Sequence, residues 1–239
     1  MNTSIITYDS IFDYSEFISD DFNQGENMIT DCTLIIGDKR YRSHTIILAS
    51  SSIFFYNAFT SGMHEDVERE VKIYYNPKNV FLDVLRWFYT GKIQITPDNI
   101  MCIFAVSRFY GIKLLEKSIE DILNTDITTP DLLVLLINQC YESELNSELK
   151  YLIKFISNFY FTNKISTMQL SEILDIPTFC QVLSQKDLKF NELLDILVEF
   201  IGNFQCSEDD INALKSLFDL TNTDVVQTLK HQKLHWMPM

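Results

Sequence analysis

The chain has 239 residues, a mass of 28.0 kDa and a formal charge of −14, from 33 acidic against 19 basic residues. Its 46% hydrophobic content is enough for one or two cored domains and excludes a disordered chain. The negative field, with a pI near 4.6, repels phosphate backbones, so neither nucleic acid nor anionic membrane is an expected partner.

The N-terminus lacks the basic flank and apolar stretch of a secretory signal, so a cytoplasmic or nuclear location is expected. Ser10 to Phe22 carries Ile11, Phe12, Phe17 and Ile18 at near-helical spacing and predicts an amphipathic helix. Next, Thr33–Ile36 and Lys39–Arg42 flank Gly37-Asp38, and glycine at the first turn position predicts a type II′ hairpin. His44–Ser50 and the stretch from Ser51 to a stop at Gly62 read as short helices, with an added strand over Glu70–Tyr74. Further helices are predicted over Asn79–Thr90, Asn99–Tyr110 and Lys113–Asn124. The polar, proline-containing stretch Asn124–Asp131 marks a boundary. Beyond it only helices are expected: Leu132–Gln139, Glu148–Asn158, Thr167–Leu174, Pro177–Leu183, Glu192–Ile201 and Asp209–Leu217. The longest apolar run, Leu132 to Ile137, is far too short to span a bilayer. The end of the chain, with Trp236, reads as a frayed tail.

Chemistry-bearing motifs are scarce. Cys32, Cys102, Cys140, Cys180 and Cys206 form no CxxC pair and read as small buried hydrophobes. His231 and His235 are four apart but have no third ligand nearby, so no metal and no cofactor is expected. Six glycines leave no GxGxxG, P-loop or GxSxG, and no enzyme is predicted. Glu65, Asp66, Glu68 and Glu70 read as a solvated acidic face.

The order of elements resembles a BTB/POZ domain. Asp31, Leu34, His44, Leu48, Ala49, Ser52 and Phe54 fall at that family's marker positions, and Phe88-Tyr89-Thr90-Gly91 matches its "YTG" turn. Thr45 stands where a basic residue commonly follows the histidine, which argues against a corepressor-binding charged pocket. Asp31 beside His44 is expected to form a buried, charge-assisted core pair. The second half resembles a BACK domain through Leu183, Ser184, Leu188, Glu192 and Phe200, with Phe155–Phe159 upstream.

The fold class expected is therefore α+β: a BTB/POZ domain over 1–125, an all-α BACK-like domain over 126–205, and a C-terminal helix and tail over 206–239. No kelch propeller or MATH domain is expected. The resemblance implies an adaptor that links the cullin-three ubiquitin ligase to a substrate protein. Met63-His64-Glu65 matches the family's hydrophobic–x–Glu cullin motif. It further implies a homodimer built from a swapped strand over Ser4–Tyr8 and an apolar patch, with Ile5, Ile6, Ile11, Phe12, Phe17 and Ile18 at the interface. The alternative is a non-catalytic scaffold or competitor that dimerises with other BTB proteins without delivering substrate.

Overall fold

A computed structural model describes residues 4–7, 30–126, 129–162, 165–172, 174–188, 190–201 and 207–217. The chain divides into one unit of residues 1–128 with 135–148, and a second of 129–134 with 149–239. The expected helix over Ser10–Phe22, Cys206, the C-terminal histidines and Trp236 lie outside the described residues.

Among its described residues the first unit carries two small sheets. β2 (Cys32–Ile36) and β3 (Lys39–Ser43) pair antiparallel with Ile36 opposite Lys39, leaving Gly37-Asp38 as the two-residue turn. Gly37 has φ +60° and Asp38 a negative φ, which separates the II′ turn from the I′ type that needs both positive. β4 (Glu70–Ile73) joins β2 in parallel, giving the order β3-β2-β4. The second sheet pairs β1 (Ser4–Thr7) antiparallel with β5 (Lys92–Ile95), Ile6 opposite Ile93. β5 is a strand that the sequence reading left unassigned; its alternation buries Ile93 and Ile95 and exposes Lys92 and Gln94.

Among the described residues the BTB-like part adds six α-helices: α1 (Thr45–Ser51), α2 (Ile53–Thr60), α3 (His64–Glu68), α4 (Phe81–Thr90), α5 (Ile100–Phe109) and α6 (Lys113–Asp126). α4 stops at Gly91, whose φ of +66° lets its N–H close onto the Trp87 carbonyl at 2.8 Å. The "YTG" turn thus has a physical reading. The buried Tyr89 hydroxyl accepts the His44 N–H at the start of α1 (3.1 Å), Thr90 Oγ1 accepts the Lys92 N–H (3.1 Å), and glycine ends the helix.

Tyr110, 1% exposed, is the centre of the core. Its ring lies 4.9 Å from Phe54, 5.0 Å from Phe81 and 4.9 Å from Phe109 in edge-on geometry, and stacks on Phe55 at 6.0 Å. Such pairs each contribute about 0.5–1.5 kcal/mol beyond area burial. The hydroxyl donates to the Tyr75 carbonyl (3.1 Å) and accepts the Tyr75 N–H (3.2 Å). Ser52, between α1 and α2, donates to the Tyr110 carbonyl at 2.6 Å while its oxygen caps α2 by accepting the Phe55 N–H. Gly111 follows at φ +61°; a Cβ there would fall 2.2 Å from Ile53 Cγ2, so the approach of the two segments requires glycine.

α7 (Pro130–Glu142) and α8 (Asn146–Phe161) each contribute residues to both units. Within the first unit, Gln139 is 3% exposed and supplies a long-range cap for α5. Its Oε1 accepts the Met101 and Cys102 N–H groups at 2.6 and 3.2 Å, and its Nε2 donates to the Pro97 carbonyl at 2.9 Å. Asn99, the residue at the cap position, is occupied elsewhere, accepting the Thr96 N–H at 2.8 Å.

In the second unit, α9 (Thr167–Ser171) opens with a Ser166/Gln169 capping box, and α10 (Ile176–Leu183) is capped by Asp175, which accepts the Thr178 N–H at 2.8 Å. α11 (Phe190–Ile201) and α12 (Glu208–Leu217) close it, with Phe179 and Phe200 stacked at 3.7 Å and both buried. An α+β domain followed by a helical region, the fold class read from sequence, is borne out. Cys32, Cys102, Cys140 and Cys180 are free and buried, and burial pushes the Cys32, Cys140 and Cys180 thiols up to about 12. No described helix is long and apolar enough to cross a membrane.

Removing the Tyr110 hydroxyl strands both Tyr75 backbone groups. Tyr110→Phe is expected to lower stability by about 1–3 kcal/mol, read as a fall in the urea midpoint with an unchanged far-ultraviolet spectrum.

Candidate docking site

The segment between α2 and β4 presents the Met63-His64-Glu65 motif. α2 ends at Thr60, and Gly62 at φ +71° redirects the chain so that Met63, in an extended conformation, becomes the cap of α3. This helix was not expected from the sequence, because five residues carry too little periodicity to register. It is held from both ends. Asp66 accepts the Gly62 N–H at 3.0 Å and pairs with Arg69 at 3.5 Å. Arg69, left-handed at φ 54°, donates to the Phe59 carbonyl at 3.4 Å, and its own carbonyl accepts the Thr33 N–H at 2.9 Å.

Met63 is 67% exposed, His64 is exposed and Glu65 half-buried. The motif thus runs from the cap residue Met63 into the first turn of α3, which holds His64 and Glu65. The acidic run around them is not uniform. Asp66 is spent on the Gly62 and Arg69 contacts and Glu70 pairs with Arg40, whereas Glu68 is exposed.

Asp31 and His44 do not form the buried pair expected of them. Asp31 is exposed, and its carboxylate accepts the Thr45 N–H at 2.7 Å and the Thr45 hydroxyl at 2.5 Å. The reason is position: the Asp31 N–H bonds the Ser43 carbonyl at the end of β3, which sets the side chain opposite the open N–H groups at the start of α1. His44 is half-buried with Nδ1 3.2 Å from the Tyr89 hydroxyl. Thr45, noted from sequence only as a missing basic residue, is thus the group that Asp31 holds. Partial burial by itself raises the Asp31 carboxyl, but the Thr45 hydroxyl and amide, its own backbone and His44 outweigh this and leave it below its ordinary value.

Of the residues assigned to self-association, Ile5 and Ile6 lie in β1, opposite Gln94 and Ile93. Ile11, Phe12, Phe17 and Ile18 lie outside the described residues. Elsewhere on the first unit, a shallow groove of about 600 Å³ runs between Ala49, Ile53, Tyr56, Gly111 and Leu114. Among the described residues no group of three His, Cys, Asp or Glu side chains is arranged to hold a metal ion.

The BTB/POZ domain family matches residues 20–127, so this part of the chain is a BTB/POZ domain, a protein-interaction module. The chain is 35% identical over 86 residues to kelch-like protein 40b of Danio rerio, a match covering 36% of this chain and 14% of that protein. It is 25% identical over 129 residues to zinc finger and BTB domain-containing protein 14 of Mus musculus, covering 54% of this chain and 26% of that one. Among solved structures, the BTB domain of zebrafish PATZ1 aligns with a TM-score of 0.35 and 21% identity, covering 39% of this chain and 75% of that one. The chain thus spans only a small part of the length of these curated relatives.

Because folding disfavours protonation of Asp31, the stability this contributes is complete above the ordinary value of 3.8 and is lost as pH falls below it through the folded pKa. Asp31→Ala is expected to lower the thermal midpoint at neutral pH, and the gap to wild type should close in strong acid. A gap independent of pH would show that the carboxylate charge is not what holds Thr45.

Proposed function

We propose that this chain is a non-enzymatic adaptor that links the cullin-three ligase to a substrate protein. In this reading Met63, His64 and Glu65 dock on the N-terminal region of cullin-three, the BTB unit over 1–125 dimerises, and the BACK-like helices over 126–205 orient the substrate, with 206–239 as closing helix and tail. The reading rests on one observation above others. Met63 is held out at 67% exposure at the cap of a helix braced by Asp66 and Arg69, so little backbone freedom remains to be lost on docking. An exposed thioether is an adaptable apolar plug, and the Glu65 carboxylate two residues on can accept hydrogen bonds from the partner. The kelch-like relatives support the same direction.

Self-association is supported by apolar exposure on the first unit, with Ile46 73%, Ile53 56% and Leu114 42% exposed. In the proposed dimer the β1 strand swaps onto β5 of the partner, and Ile5, Ile6, Ile11, Phe12, Phe17 and Ile18 supply the interface.

Met63→Ala combined with Glu65→Lys is expected to abolish pull-down of the cullin-three N-terminal domain and leave the circular dichroism spectrum unchanged; retained pull-down refutes the docking assignment. Light scattering at micromolar concentration is expected to give twice the monomer mass of 28.0 kDa; a monomeric mass refutes the dimer. Turnover of a co-expressed substrate, lost in the double variant, separates the adaptor from a scaffold that only occupies the cullin.

A further inference from the structure

Resting on the reading of the BTB unit as a strand-swapped dimer, we propose that β1 is a latch. Paired with β5 of its own chain it holds the protein monomeric, and its release admits a second copy. Among the described residues β5 offers one edge to a strand. On the other edge its backbone is bonded by neighbouring side chains: Thr90 Oγ1 accepts the Lys92 N–H at 3.1 Å, and Asn99 Nδ2 donates to the Gln94 carbonyl at 3.0 Å. Just beyond β5, Asn99 Oδ1 accepts the Thr96 N–H at 2.8 Å. Successive residues of a strand turn their backbone groups to opposite edges, so Ile93 and Ile95 face the other way. Ile6 and Ser4 of the same chain stand opposite them there. That edge has room for a single strand, so β1 paired in cis and the β1 of a second copy exclude each other.

The competing strands are identical in sequence, so the edge itself cannot choose between them; connectivity and concentration decide. Residues 8–29 join β1 to the rest of the unit, and at about 3.3 Å per residue that length of chain can reach its own β5 or another copy's. Tethering gives the cis pairing an effective concentration of about millimolar. The swapped form prevails only by making two strand pairings and an interface at once. A two-stranded pairing of four residues is marginal by itself, which lets the latch open without unfolding the unit. Dilute chains therefore close on themselves, and concentrated chains exchange strands.

Ile5→Cys with Gln94→Cys tests this in the full chain, in a Cys206→Ser background, the other native cysteines being buried. Ile5 and Gln94 are directly opposed, and Gln94 is exposed. They form a non-hydrogen-bonded pair, whose Cα separation of about 4.5 Å suits a disulfide. Oxidation with copper-phenanthroline at high dilution is expected to consume both new thiols and give a band of monomer mass on a non-reducing gel. Oxidation of the concentrated protein is expected to give a covalent dimer. The purified bridged monomer is expected to stay monomeric by light scattering at micromolar concentration, where its reduced form dimerises. A covalent dimer at every dilution overturns the latch and leaves the dimer reading standing. A bridged monomer that dimerises as well as its reduced form also overturns the latch. Absence of a bridge in either form overturns the β1–β5 pairing on which it rests. A reduced chain that stays monomeric at every concentration overturns the dimer reading, and the competition with it.

Discussion

The BTB unit depends on the Tyr110–Gly111 turn at the end of α5. Tyr110 gathers the rings of Phe54, Phe55, Phe81 and Phe109 around one buried side chain, and its hydroxyl satisfies both backbone groups of Tyr75. Its carbonyl accepts Ser52, and the missing Cβ of Gly111 admits Ile53. Three elements distant in sequence are thereby locked by one dipeptide: the start of α2, the exit from β4, and α5. The polar contacts matter as much as the aromatic ones, because a buried backbone group left without a partner costs more than a ring contact gains.

From that centre a continuous series of contacts reaches the docking helix. Ser52 fixes the first turn of α2, and Phe59 near its other end offers its carbonyl to Arg69. Arg69 is anchored in turn to β2 through Thr33 and to α3 through Asp66. An arginine in the left-handed region is uncommon and costs energy; here three partners offset it. The result is an exposed helix carried on a rigid base, the condition under which apolar side chains can project into water and still be preorganised for a partner.

How much of this was legible in the sequence follows the range of the interaction. The β2–β3 hairpin, its II′ turn and the stops of α2 and α4 were readable because glycine, alternation and helical spacing act within a few residues. The unassigned β5 and α3 are four and five residues long, too short for periodicity to separate them from loop. Asp31 and His44 were paired by name; the backbone register that sends Asp31 to Thr45 is set by the hairpin and cannot be read from residue types.

Gln139 shows the limit most clearly. It stands in an amphipathic helix beyond a polar boundary and looks, in sequence, like any surface amide. In the fold it is 3% exposed and satisfies two amides at the start of α5 and the Pro97 carbonyl, roles that Asn99 leaves open by bonding Thr96 instead. A helix start without its local cap must find an acceptor elsewhere, and the structure finds it about forty residues downstream. The same logic explains why residues 135–148 pack with the first unit. Composition shifts mark where a chain turns, but the unit a segment joins is decided by which buried polar groups it satisfies.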